Sequence, residues 1–199
     1  MKLNGENVGK SPISFPELKE EDQKSGKQPV EVYFNELGRE PTSLVKMIMR
    51  SIYENNRKEI VGVGVSRNGI QAGIQGIYLN NGLLYLHTFM RNKSSMPFDV
   101  DRVTFEIKDK KLMKKITPQT TTLKVLRTYN FTPRIVQGKI FRSVYCLEQF
   151  TLPEDQILVV TYHEKRGNRV VTYQLNSKNL LRAKTINELK IRGNERDNY

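Results

Sequence analysis

The chain has 199 residues, a formal net charge of +12, one cysteine and two histidines. That length suits one domain of ordinary size with a tail, and a 37% share of hydrophobic residues supports a core beneath a very polar surface. No apolar run approaches the roughly 18 residues of a membrane span, and a single cysteine excludes an intrachain disulfide framework or a cysteine-based metal cluster. The opening "MKLNGENVGKSPISF" lacks the apolar stretch of a signal peptide, so a chain acting outside the cytoplasm would be a mature form or a piece of a longer one.

The charge is uneven. Residues 1–40 balance at −2, whereas residues 41–199 carry +14. From Lys110 to Leu147 there are nine Lys/Arg and no acidic residue, which points to an acidic partner surface.

Residues 1–40 read as a flexible tail or linker, with apolar residues too scattered to offset the entropy of ordering. Within it, "PVEVYFNEL" would form a short strand if an edge were supplied. At "EPTSLVKMIMRSIYENN" the pattern turns helical over 43–56, with Thr42 or Ser43 as the cap and Pro41 just outside. Leu44, Ile48 and Ile52 recur at i, i+4, i+8, flanked by Val45, Met49 and Tyr53, in one apolar stripe. The stripe either covers the domain that follows or binds a partner through Leu44, Ile48, Ile52 and Tyr53.

Everything after Lys58 reads as β. Glycines in "EIVGVGVS" predict a close backbone approach or a bulge. "GIQAGIQGIYL" and "LLYLHTFMRN" flank "NNG", a strong hairpin signal because Asn-Gly suits a type I′ turn. In "FDVDRVTFEIKD", Phe98 and Val100 share one phase while Val103, Phe105 and Ile107 share the other, so a bulge is expected near Asp101-Arg102. Next come "TTTLKVLRTYN", "FRSVYCLEQF", and the pair "QILVVTYHE" and "NRVVTYQL", joined by "KRGN" with Gly167 expected at positive φ. "NLLRAKTINELKIRG" reads as a short helix, and 191–199 as a disordered end. The fold class is all-β: an immunoglobulin-like antiparallel sandwich of about seven or eight strands with one flanking N-terminal helix.

Catalytic motifs are missing from the sequence: no G-x-S-x-G, P-loop, G-x-G-x-x-G before a helix, or H-E-x-x-H. His87 in "LYLHTF" and His163 in "VTYHEK" read as strand residues, and Cys146 in "FRSVYCLEQF" as a small buried hydrophobe. Asp99 and Asp101 share a face but lie beside Arg91 and Arg102, as in a charged loop rim. No enzyme, cofactor or metal is expected. Lys110, Lys111, Lys114, Lys115, Lys124, Arg127 and Arg134, with Lys139 and Arg142, interleave with Tyr129, Phe131, Phe141 and Tyr145. That composition suits an acidic partner or a nucleic acid, although lysines in "KDKKLMKK" also blunt an exposed edge.

The order of segments carries a resemblance. "PTSLVKMIMRSIYENNRKEI", "GIQAGIQGIYLNNGLLYLHTFMRNKSSMPFDVDRVTFEIKDKK", "NFTPRIVQGKIFRSVYCLEQFTLPEDQILVVTYHEKRGNRVVTYQL" and "LLRAKTI" together resemble the C-terminal β-sandwich region of the TraN proteins of Bacteroidetes conjugative transposons, over residues 41–190. The resemblance implies a non-enzymatic subunit of a type IV-like secretion apparatus, similar in role to the β-sandwich subunit of the outer-membrane core complex. It further implies a periplasmic place, tethered at the outer membrane through other transfer subunits in an oligomeric ring, with partners docking on strand edges.

Overall fold

Two Asn-Gly turns set the register of the first sheet. The computed structural model describes residues 40–110 and 120–188. Strand β1 (Gly64–Arg67) turns through Asn68 and Gly69 into β2 (Ile70–Asn80), which turns through Asn81 and Gly82 into β3 (Leu83–Asn92). All four turn residues have positive φ, from 42° to 77°, the handedness that lets a two-residue loop follow the strand twist. The expected close approach is present in this sheet. Gly64 pairs with Gly73, and a Cβ on Gly64 would stand 2.6 Å from the Ala72 carbonyl oxygen. Before Gly64 the Val63 carbonyl still accepts from the Ile74 amide at 3.1 Å, and the Glu59 and Ile60 amides both donate to the Gln75 carbonyl, at 2.8 and 2.9 Å. That carbonyl is turned outward at a bulge between Ile74 and Gly76.

The chain then crosses to a second sheet with β4 (Phe98–Asp109), whose bulge falls between Val100 and Arg102 as its change of phase predicts. A short β5 (Thr120–Thr122) pairs with β4, β6 (Val125–Tyr129) returns to the first sheet, and β7 (Arg134–Ile135) pairs with the start of β4. Strands β8 (Ile140–Glu148) and β9 (Gln156–Glu164) repeat the crossing, and β10 (Val170–Leu175) closes the second sheet. The first sheet runs β1-β2-β3-β8-β6 and the second β10-β9-β4-β5. The expected all-β sandwich is therefore present, built among the described residues on seven strands of five residues or more, with four shorter ones beside them.

Helix α1 (Thr42–Asn55) lies on the outer face of the first sheet. Its start differs from expectation. Pro41 occupies the N-cap at φ −59°, ψ 136°, and no side chain caps the helix. Proline's fixed φ supplies the entry geometry, and the Thr42 hydroxyl instead accepts from Arg127 Nη2 at 3.3 Å. Asn56 ends the helix in the left-handed region, its amide bonded back to Ile52.

Because β3 is covered on both sides, it reads as a near-continuous apolar run. Leu84 and Leu86 enter the core between the sheets, facing Phe105, Leu158 and Val160. Leu83 and Tyr85 point the other way and pack with Val144 and Cys146 against Val45, Ile48 and Ile52 of the helix. Two further expectations are corrected. Gly167 has no positive φ; a side chain there would collide with the Glu164 carboxylate, which leans across the β9–β10 turn. The C-terminal helix is only α2 (Ser177–Leu180), reciprocally capped by Asn176 and Asn179, and is followed by β11 (Lys184–Thr185), parallel to β2. The expected tail, apart from Glu40, and the 191–199 end lie outside the described residues.

Candidate functional site

The apolar helix stripe faces inward. Ile48 is 2% exposed and Ile52 fully buried, while Leu44 and Tyr53 pack at the edge of the same cluster. These four residues secure the helix to the sheet, so a partner reaching Ile48 or Ile52 would have to lift the helix first. Tyr53 is held from three sides. The Arg142 guanidinium lies 4.4 Å over its ring, Arg142 Nη1 donates to its carbonyl at 2.9 Å, and Tyr129 meets it edge-on at 5.6 Å. Beneath them His87 is fully buried, and neither ring nitrogen has a hydrogen-bond partner among the described residues. Burial, with the nearby Arg142 charge, lowers its pKa to about 4.

Among the described residues, the basic positions singled out in the sequence do not form one patch. Lys111, Lys114 and Lys115 lie outside the described residues. Lys110 follows the last residue of β4, where its amide donates to the Asp155 carbonyl at 2.7 Å. Arg134 pairs with Asp99 at the other end of that strand, roughly 35 Å away at about 3.3 Å per residue. Arg127 sits on β6, half-buried and bonded to the helix start, and Lys124 is exposed just before β6.

Among the described residues, the acids and histidines singled out in the sequence do not gather at one place. Asp99 is matched by Arg134 at 3.4 Å and Asp101 by Arg102 at 2.7 Å. His163 is half-buried on β9, away from His87 on the other sheet. Among the described residues no three His, Cys, Asp or Glu side chains gather as a metal site would require. The space beside Thr88, Tyr145 and Tyr162 between the sheets is about 10 Å³, room for about one water. An open groove of about 310 Å³ beside β1 is lined by Lys58, Ile60, Val63, Val65 and Phe89, with a single titratable group. Cys146 is fully buried, and burial pushes its thiol up to about 12, the inert state expected of a core cysteine.

The sequence reading missed two anchors that shape the surface. Buried Asn92 donates to the carbonyls of Met96 and Ile135 at 2.7 and 3.1 Å, and its Oδ1 accepts from the Ser94 amide and hydroxyl. It thereby fixes the β3–β4 loop against β7. Arg169 lies 5.2 Å over the Phe98 ring and donates through Nε to Glu164 at 3.0 Å, and this hydrogen bonding holds the Glu164 carboxyl below its ordinary range. The polar types "RN" and "GNR" in these turns were the available signal, but nothing local marks them as buried.

Residues 42–185 match the model of a family described as a domain of unknown function, DUF4138. The match starts on the first residue of α1 and stops on the last of β11, so one folding unit and one family unit coincide. No curated protein matches the chain.

Proposed function

The chain belongs to the DUF4138 family, and from that premise we propose that it is a TraN-like structural subunit of a conjugative, type IV-like DNA-transfer apparatus. The observation that carries the reading is an agreement of spans. The segments that resemble TraN run over 41–190, and the family match runs over 42–185. The fold fits a building block. Its seven long strands enclose a filled core, its helix is packed down, and its carboxylates at the β4 entry are matched by arginines instead of converging on a cleft. Such a subunit transforms no substrate and takes no cofactor. It assembles with other transfer proteins in the cell envelope, at the periplasmic side of the outer membrane, as one part of an oligomeric ring. Its partners add extended segments to strand edges such as those of β5 and β6.

A pull-down of the tagged chain against the other transposon transfer proteins tests this. Specific retention of at least one of them is expected, and it survives charge reversal at Lys114 and Lys115. The rival is a nucleic-acid-binding domain that uses the basic 110–142 surface. Fluorescence anisotropy with single-stranded and duplex DNA at two salt concentrations separates the two. Salt-sensitive DNA binding lost on that reversal, with no transfer protein retained, would replace the assembly reading.

A further inference from the structure

Four connections meet at one end of the sandwich. The Lys93 amide donates to the Gly69 carbonyl at 2.7 Å, tying the β3–β4 loop to the β1–β2 turn. The Gly138 amide donates to the Asn92 carbonyl at 2.9 Å, bringing in the β6–β8 connection, and the Lys165 amide donates to the Asp99 carbonyl at 2.8 Å, bringing in the β9–β10 turn. These connections carry Arg67, Arg91, Lys93, Lys139, Lys165 and Arg166, all exposed. None of the six is ion-paired among the described residues. The acids at the same end are already matched: Asp99 by Arg134, Asp101 by Arg102 and Glu164 by Arg169.

Apolar side chains concentrate in the same place. Of the eight exposed large hydrophobic residues among the described ones, Met96, Phe131, Val136, Ile140 and Val170 stand on or beside these connections, with Met96 68% and Ile140 58% exposed. Unmatched cations alone would suit any polyanion. The apolar residues narrow the choice. A nucleic acid rewards aromatic platforms, and Phe131 is the one exposed aromatic here; Met, Val and Ile gain nothing from a phosphate backbone in water. At a lipid surface both features are used, because cations meet anionic headgroups while aliphatic side chains enter the boundary with the acyl chains.

We propose that this loop end is a docking surface for an anionic phospholipid layer. The proposal stands on the loop end itself and holds whether or not the transfer-apparatus reading does. The full chain is floated with phosphatidylcholine vesicles, with and without phosphatidylglycerol, at low and high salt. The chain floats only with the phosphatidylglycerol vesicles, and less at high salt. Lys93→Glu with Lys165→Glu lowers the partition at least tenfold, and Met96→Ser with Ile140→Ser lowers it several-fold. All four positions are exposed, and circular dichroism verifies folding. Anisotropy with duplex and single-stranded DNA is the second arm, where the Met96→Ser, Ile140→Ser variant behaves as wild type. Absence of flotation by the wild type would overturn the proposal. So would full flotation by the serine variant, which would leave a general polyanion patch.

Discussion

At position 87 the sheet holds a fully buried imidazole whose two nitrogens have no hydrogen-bond partner among the described residues. Its pKa of about 4 lies below the unfolded value of 6.5, because burial and then the Arg142 charge oppose protonation. The folded state therefore requires neutral His87. Its contribution is complete above about pH 6.5 and is lost as pH falls toward 4, by up to about 3 kcal/mol at 1.36 kcal/mol per pKa unit. Urea unfolding of His87→Leu between pH 7 and pH 4.5 should show a flatter dependence than wild type; equal slopes would rule this assignment out. Gly73 makes a steric prediction of the opposite kind. A Cβ there would stand 2.9 Å from Gly64 Cα and 3.0 Å from the Phe89 ring, so Gly73→Val should cost about 2 kcal/mol through overpacking, read as a lowered urea midpoint. Asn92→Ala takes the side-chain partner from the Ser94 amide and the Ile135 carbonyl. It should cost about 2 kcal/mol and speed hydrogen exchange at Ser94 while sparing β9.

Among the elements, α1 is held chiefly by side chains that its own spacing announces. Ile48→Ala should cost about 3 kcal/mol from lost burial and the cavity left behind, whereas Met47→Ala, at a position 46% exposed, should change little in the same thermal melt. The stripe at 44, 48 and 52 was legible because period and burial agree. The cap was not, since Pro41 supplies the geometry with backbone alone and leaves Thr42 to Arg127. The Asn81-Gly82 hairpin and the β4 bulge were legible for a related reason: turn chemistry and a change of phase are local signals; the Asn68-Gly69 hairpin was not, because "VGVGVSRNG" reads as one glycine-bearing strand. Strands β7 and β11, two residues each, are too short to carry any alternation. Gly167 misled because glycine has two uses. Here it makes room for the Glu164 side chain and does not supply positive φ.

Across the whole molecule, the sheets are locked by pairings far apart in sequence. Strand β3 pairs with β8, as Tyr85 does with Cys146, and β4 pairs with β9, as Phe105 does with Val160. The two crossings between sheets lie at opposite ends of the sandwich, β3 to β4 beside Ile140 and Glu164, and β8 to β9 beside Leu83 and Asp109. Such non-local pairing makes folding slow, on a scale of milliseconds to seconds, and stopped-flow refolding should show it. Amide exchange should be slowest in β3, β8 and β9 and fastest in β1 and β5, which pair on one side only. This scale was the least legible in sequence. A count of strands suggested a sandwich, but not which strands are neighbours. The loop-end cations were equally hidden, because "SRNG", "MRNK" and "EKRGN" are separate turns in sequence and adjacent only after folding.

Cys146 lies in the middle strand of that lock, opposite Tyr85 on one side and Arg127 on the other. With its sulfur sealed in and its proton firmly held, a thiol reagent must wait for the sheet to part. The rate of modification is then a clock for that parting, one natural sulfur atom timing how often the central ladder breathes.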